Sequence, residues 1–455
     1  MTAHTPVRTP IKRWWITGLS LLLLAGSPAA LAQTSRPVDS AARLADLAVK
    51  VNPGLAAVTL RVKALQQRVH GAGAWMDPMV SLTYMNMPVD RWAPGGSPMS
   101  GIKLAIKQPF YWPGKIKARQ ALAEAQVAEQ RVTIAERKVQ LRAMVKRAYY
   151  RLALVRHMRE VTAEHIKLVD QLQDAVRIKY EVGKVGQHDL LRLKVMRSKL
   201  ADDLKRFDRD DAALTSMINA TLRRKADTAI ATPARIITPA PSQDAAALVA
   251  AAVSARPLLK RYLAQARTRR AMARRATREG YPNISAWFAY TIRVAAGMDP
   301  GTNFITMGVG MPLPLSRERR WGSKKREAEL GAKMAEQMRQ MELDRIRASL
   351  GRVVATWKRA VQEARTYRTN LMPAARKTLD ATFTAYQVDR AGFASLFQAE
   401  VQLLKFKRTI RRAEATAALA RVEAEALIGA PVLASAGGSG MKQRRPLNKL
   451  KTEER

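Results

Sequence analysis

The chain repeats itself once, and this duplication constrains its architecture more than any single motif does. Pro53 and Leu55 open one helical segment, and Pro257 and Leu258 open another. Asp77-Pro78 precedes one strand-like run, and Tyr281-Pro282 precedes a second. QPFYWPGK at 108–115 is answered by MPLPLSRE at 311–318, and YEVGKVGQHDLL at 180–191 by YQVDRAGFASLF at 386–397. Pro53 to Pro257 and Pro78 to Pro282 are both 204 residues apart, Pro109 to Pro312 is 203, and Tyr180 to Tyr386 is 206. A long offset held this closely marks a duplicated structural unit. The repeats span 33–227 and 244–432, joined by a linker at 228–243 whose Pro233, Pro239 and Pro241 favour extended backbone.

Within each repeat the hydrophobic period switches. After Gly114 no proline or glycine occurs until the 180s, and Leu141, Val145, Ala148, Leu152 and Val155 step by four and three. That is a heptad seam, and a helix over 114–181 is about 100 Å long, beyond the need of a compact domain. A return helix over 187–225 keeps Leu193, Leu200, Phe207 and Leu214 seven apart. In the second repeat Leu350, Val354, Trp357 and Val361 form the matching seam, and Leu396, Leu403 and Ile410 mark a return helix over 394–428. Pro373 is expected to kink or break the second long helix.

Four runs show period two instead. They form one hairpin per repeat, over 79–110 and 283–311. Val80, Leu82 and Tyr84 alternate with Ser81 and Thr83; Ile102, Leu104 and Ile106 alternate with Lys103, Ala105 and Lys107. Ile284, Phe288 and Ile292 share a face, as do Ile305, Met307 and Val309. Each run is strand-length with one lipid-compatible face, as a transmembrane barrel strand requires. Soluble hairpins packed on helices would show the same alternation. In the barrel reading the polar faces turn Lys103, Lys107 and Arg293 into the lumen, with Trp287 beside them.

The first 32 residues favour the barrel. Arg8, Lys12 and Arg13 precede a short apolar stretch from Ile16 to Ala25, and Ala30-Leu31-Ala32 forms a small-x-small cleavage site: a secretory signal. The net charge of +42 is extreme, but 47% of the residues are hydrophobic, so this is not a disordered polycation. The basic residues are spread along helices without interleaved base-stacking aromatics, which argues against nucleic acid as partner. The absence of cysteine excludes thiol catalysis and disulfides. His4, His70, His157, His165 and His188 have no zinc-site spacing, and no nucleophile–base–acid set or phosphate loop is present. No enzyme, cofactor or metal site is expected. Residues 433–455, rich in Gly, Ser, Lys and Arg, are expected to be a disordered tail.

Four strands cannot close a barrel, so the chain needs copies of itself; three supply twelve strands. The order helix, hairpin, long helix, tip and return helix, duplicated over roughly 46–432, resembles the TolC-type outer-membrane efflux factors. The resemblance implies a mainly α fold with a small β part. It would be a homotrimer with a 12-stranded barrel in the outer-membrane lipid, set on an α-helical periplasmic tunnel. It further implies an exit duct for an inner-membrane pump and a periplasmic adaptor. Val182, Gly183 and Lys184 look like the family's adaptor-docking tip, with Lys184 in place of an apolar residue. Val388, Asp389 and Arg390 hold the same place in the second repeat, Asp389 replacing a glycine. Gly186 and Gly392 are alternative suppliers of the turn. Tyr386 matches a tyrosine near the family's periplasmic aperture or is simple helix packing. Ser395 and Gln398 match positions where some members carry an acidic ring; neither is acidic.

DPMVSLTYMNMPVD at 77–90 and QPFYWPGK resemble the heavy-metal cation-efflux branch more than the drug-efflux branch. Met76, Met79, Met85, Met87 and Met99 suit Cu(I) chemically, although strand methionines more often face lipid or fill gaps. Alternatives are a drug-efflux or type I secretion duct, and an exported basic coiled-coil scaffold that binds acidic polymers.

Overall fold

The computed structural model describes residues 40–90 and 97–432. The signal expected at 1–32, the tail at 433–455 and residues 91–96 of the first hairpin turn lie outside the described residues.

Each repeat opens with two helices parted by a proline. They are α1 (Ala41–Val51) and α2 (Pro53–Ala72), then α5 (Ala245–Ala255) and α6 (Pro257–Glu279). Pro53 and Pro257 sit in the first turn, where a missing N–H costs nothing. Asn52 caps α2 by accepting the Leu55 N–H at 3.2 Å. Arg256, at the matching place, sends its guanidinium instead to Glu136 and the Ala426 carbonyl.

The long helix α3 (Lys115–Glu181) has 67 residues, about 100 Å at 1.5 Å each; it returns as α4 (Gln187–Thr221). In the second repeat α7 (Ser323–Thr366), α8 (Met372–Gln387) and α9 (Phe393–Ile428) do the same. The second long helix does not break at Pro373. A π turn at Tyr367–Leu371 carries α7 into α8, placing Pro373 in a first turn. The wider turn accommodates the absent N–H and the ring. A second π turn, Glu318–Gly322, leads into α7.

The heptad positions form the packing seams. Val145, Ala148, Leu152, Leu193, Leu200, Leu350, Val354, Trp357, Leu396, Leu403 and Ile410 are buried, whereas Phe207 and Leu214 are half-buried. One core joins Val169, Leu172, Val176 and Leu193 of the first repeat to Leu379, Tyr386, Leu396 and Leu403 of the second. The repeats therefore share a core. The proline linker is pinned across the helices. Ile230 and Ile236 are buried, the Pro233 carbonyl lies 2.9 Å from His157 Nε2, and the Pro239 carbonyl accepts Trp357 Nε1–H at 3.0 Å.

The strands β1 (Met79–Met85), β2 (Gly101–Phe110), β3 (Ile284–Arg293) and β4 (Phe304–Gly310) form one antiparallel sheet in chain order. The central β2–β3 pair joins the repeats, and β1 and β4 are its two edges. Both hairpin turns lie at one end of the sheet, and α2, α3, α6 and the helix leading to α7 meet its other end. No described helix is long and apolar enough to cross a membrane.

Candidate functional site

Register gives the sheet two distinct faces. Tyr84, Ile102 and Ile292 lie in one cross-strand row; Leu82, Leu104, Tyr290 and Ile305 in the next; Val80, Ile106, Phe288 and Met307 in a third. Because partners across a ladder share a face, these rows form one continuous apolar surface, and most of its side chains are exposed. Between them lie the polar rows. Thr83, Lys103, Thr291 and Phe304 align, then Ser81, Ala105, Ala289 and Thr306, then Met79, Lys107, Trp287 and Gly308. Trp287 covers the backbone of β4: a Cβ on Gly308 would lie 2.4 Å from its ring, and one on Gly310 3.1 Å. Gly308 is what lets the indole lie flat.

Arg293 shares a face with Lys103 and Lys107, but it is not a free lumenal charge. Its side chain is buried, paired with Asp299 of the following turn, and stacked on Phe304 at 5.1 Å. The expectation that Arg293 adds its charge to those of Lys103 and Lys107 is corrected, because Asp-Pro-Gly at 299–301 supplies it a counter-charge just past the strand.

At the far end of the helices the two tips are built alike. α3 ends in a Schellman motif: the Lys179 carbonyl accepts the Lys184 N–H at 2.8 Å and the Tyr180 carbonyl accepts the Gly183 N–H at 2.9 Å. α8 ends the same way, Ala385 accepting from Arg390 at 2.8 Å and Tyr386 from Asp389 at 3.3 Å. The left-handed residues are Gly183 (φ +72°) and Asp389 (φ +62°). Gly186 and Gly392 do not supply this turn. They have extended backbone at φ −82° and −78° and form the N-caps of α4 and α9.

A left-handed aspartate is strained relative to glycine, and here it holds the tips together. Its carboxylate accepts from Lys184 at 2.6 Å and also from Lys179, whose ammonium reaches the Tyr386 carbonyl and lies 4.5 Å above the Tyr386 ring. These hydrogen bonds, from Lys179 first and then Lys184, lower the Asp389 pKa to about 2. Tyr386 is buried in the shared core, and burial followed by the charges of Asp189 and Asp389 raises its pKa. It packs within one chain rather than projecting from it. Val182, Lys184, Val388 and Arg390 are exposed on the tips, and Ser395 and Gln398 are exposed together on one face of α9. No local pattern announces the clamp: it needs two residues 210 apart, Lys179 and Asp389.

Between the tips and the middle of the long helices lies a buried polar band, also unforeseen. His165 Nδ1 meets Glu400 Oε1 at 2.5 Å. Arg408 donates to Thr162 at 2.9 Å and Asp203 at 2.8 Å, and Glu414 pairs with Arg235, Arg368 and Arg411. The described residues hold no group of three or more His, Asp or Glu able to bind a metal ion.

Residues 44–219, from α1 to the end of α4, match the family model described as outer membrane efflux protein. No curated protein matches the chain. Solved structures extend the likeness across both repeats. The outer membrane protein VceC from Vibrio cholerae superposes with a TM-score of 0.70 at 16% identity, covering 86% of this chain and 97% of its own. CusC gives 0.68 at 12% identity, with 87% and 93% covered. The open state of the Neisseria gonorrhoeae MtrE outer membrane channel gives 0.67 at 12% identity, with 86% and 89% covered. The first repeat thus resembles the outer membrane efflux protein family, and both repeats together carry the fold of these outer membrane channels.

Proposed function

We propose that the chain is the outer-membrane exit duct of a tripartite efflux assembly, acting as a homotrimer with a periplasmic adaptor and an inner-membrane pump. The observation that carries this reading is the sheet, with its uninterrupted apolar face and two unpaired edges. Hydrocarbon leaves no water to satisfy an open edge, so β1 of one chain pairs with β4 of the next. Three chains then make a closed barrel of twelve strands, an even number such barrels use. The helices leave the barrel together from one end and extend it as a tunnel into the periplasm. At the tunnel's end the exposed Val182, Lys184, Val388 and Arg390 offer the adaptor a mixed apolar and basic surface, with Gly183, Gly186, Asp389 and Gly392 fixing its shape. Ser395 and Gln398 line the aperture with neutral polar groups. Transport through such a duct is passive and needs no cofactor.

The cargo is heavy-metal cations in this reading. Its support is the likeness of residues 77–90 and 108–115 to the cation-efflux branch. The duct passes what its pump delivers, so a drug or secreted-protein cargo would use the same architecture. Fractionation tests the reading. The mature protein should be recovered from the outer membrane as a heat-modifiable trimer; folded protein in the soluble periplasm would overturn it and revive the scaffold alternative.

A further inference from the structure

We propose that the helical end of the sheet carries, in each chain, a binding site for the headgroup of an anionic phospholipid of the periplasmic leaflet. Arg317, Arg320 and Lys324 form it, against a wall of Trp112, Tyr281 and Trp321. The inference rests on the sheet spanning the membrane, which puts this end at the leaflet's headgroup level.

Beyond the last residue of β4 the alternation does not stop. Ile305, Met307 and Val309 are followed at the same period by Met311, Leu313 and Leu315, separated by Pro312 and Pro314. Met311 is 50% exposed, Leu313 74% and Leu315 93%. The apolar stripe therefore outruns the strand pairing and runs directly into a basic segment. There Arg326 is neutralised by Glu318 at 2.5 Å, and Lys325 meets Glu329 at 3.9 Å. Arg317, Arg320 and Lys324 have no carboxylate in ion-pair range among the described residues. Aromatic rings hold them instead. Arg317 lies 4.3 Å over Tyr281, which stacks on Trp112 at 5.6 Å, and Arg320 and Lys324 lie 5.4 and 4.8 Å over Trp321.

A cavity of about 430 Å³ opens here, lined by Tyr281, Leu313, Leu315, Arg317, Arg320 and Trp321 among others, and Lys324 lines an adjoining cavity that shares Glu279 and Trp321 with it. The carboxylate in its wall, Glu279, is already held by Lys115, Arg119 and Arg275 at 3.8, 2.7 and 3.5 Å. The site thus offers guanidinium and ammonium donors beside an exposed apolar path, the complement of a phosphodiester joined to acyl chains. A soluble anion would use the donors and leave the stripe uncovered. Tyrosine, tryptophan and arginine also suit the membrane–water boundary, where one part of a side chain is apolar and the other wet.

Native mass spectrometry of the full-length protein in maltoside micelles tests the site, using dihexanoyl-phosphatidylglycerol, dihexanoyl-phosphatidylcholine and inorganic phosphate as probes. Phosphatidylglycerol should bind at one copy per chain, about fivefold or more tighter than phosphatidylcholine, since one basic side chain near an anionic surface is worth about that factor. Inorganic phosphate should not displace it. R317Q/R320Q/K324Q should reduce it to the phosphatidylcholine level in an intact trimer of unchanged conductance. Equal binding of the two lipids by the wild type overturns the site, whatever the variant does. Displacement by inorganic phosphate assigns it to a soluble anion, and dissociation of the variant trimer assigns the segment to subunit contact; either result also overturns it. Wild-type protein missing from the outer membrane would defeat the membrane reading itself, whereas inserted protein indifferent to headgroup defeats only this site.

Discussion

Nδ1 of His165 on α3 lies 2.5 Å from Oε1 of Glu400 on α9, and both side chains are fully buried. Their second polar atoms, His165 Nε2 and Glu400 Oε2, meet no protein partner among the described residues. The contact ties the first repeat to the second across 235 residues of sequence, inside the buried polar band that also holds Thr162 and Asp203. A polar pair in such a place gives register at the expense of desolvation.

The two partners are therefore predicted to be strongly coupled. His165→Leu strands a buried carboxylate and should cost about 3–5 kcal/mol. Glu400→Leu strands an imidazole and should cost about 1–3 kcal/mol. His165→Leu/Glu400→Leu should recover most of the loss, because an apolar pair of similar volume satisfies the interface. A double-mutant cycle from urea unfolding in detergent checks this; additive losses would show that the pair is not coupled.

At the tips, the exposed Lys184 pairs with Asp389, so Lys184→Glu sets two carboxylates against each other and should loosen the clamp. Lys184→Glu/Asp389→Lys should restore it. Tryptic cleavage at Lys179, which all three proteins keep, should be faster in the single variant and near wild type in the double. Asp389→Gly should be milder than Asp389→Ala: both lose the clamp, but only glycine also relieves the left-handed backbone. Loss of efflux in a trimer that still assembles would connect the clamp to adaptor docking.

The clamp should also be acid-resistant. The Asp389 pKa is lowered from 3.8 to about 2, so its contribution is complete above the ordinary carboxylate range and disappears as pH falls through about 2. Proteolytic protection of the tips by pepsin should be complete down to about pH 4, weaken gradually towards pH 3 and collapse near pH 2. Collapse already at pH 4 would contradict the pairing.

The architecture was legible because it rests on periodicities. Period two around Leu104 and Phe288 and period seven from Leu193 to Leu200 are local signals, and duplication of both gave the order of elements. What was not legible depends on contacts between distant residues. Arg293 reads as a lumenal cation until the turn folds Asp299 onto it. Asp389 reads as a misplaced glycine until Lys179 arrives from another helix. Pro373 reads as a helix stop because a π turn has no sequence signature. The linker's prolines predicted extended backbone, but only the folded chain brings Pro233 to His157 and Pro239 to Trp357.

Trp287 and Gly308 give a packing test on the face of the sheet that carries Lys103 and Lys107. Gly308→Val forces the indole off β4, since even a Cβ would sit 2.4 Å from the ring. Assembly into heat-modifiable trimer should fall sharply. Gly310→Ala, with 3.1 Å to the ring, should assemble nearly as well as wild type. Equal behaviour of the two variants would contradict the placement of Trp287.

With Arg293 neutralised, Lys103 and Lys107 remain as the cations of the polar face. They should make the open channel prefer anions, an effect that salt weakens because screening acts over about 8 Å at physiological strength. Reversal potentials in a planar bilayer should shift towards cations in Lys103→Glu/Lys107→Glu. Leu104→Arg, on the opposite face, should instead block insertion, as a lipid-facing arginine costs about 2–4 kcal/mol at the midplane. Tolerance of Leu104→Arg with no shift in the lysine variant would invert the assignment of faces.

The account stands on closure of the sheet between copies, and the cysteine-free sequence allows that to be measured without background. Within one chain β1 and β4 are separated by two strands, about 14 Å at the usual strand spacing, too far for a disulfide. One cysteine scanned through Val80, Ser81 and Leu82 is combined with one scanned through Ile305, Thr306 and Met307, and the outer membrane is then oxidised. The account predicts that matched registers give covalent dimers and trimers and nothing larger. Failure of every register to cross-link, or a ladder extending beyond three chains, would contradict it.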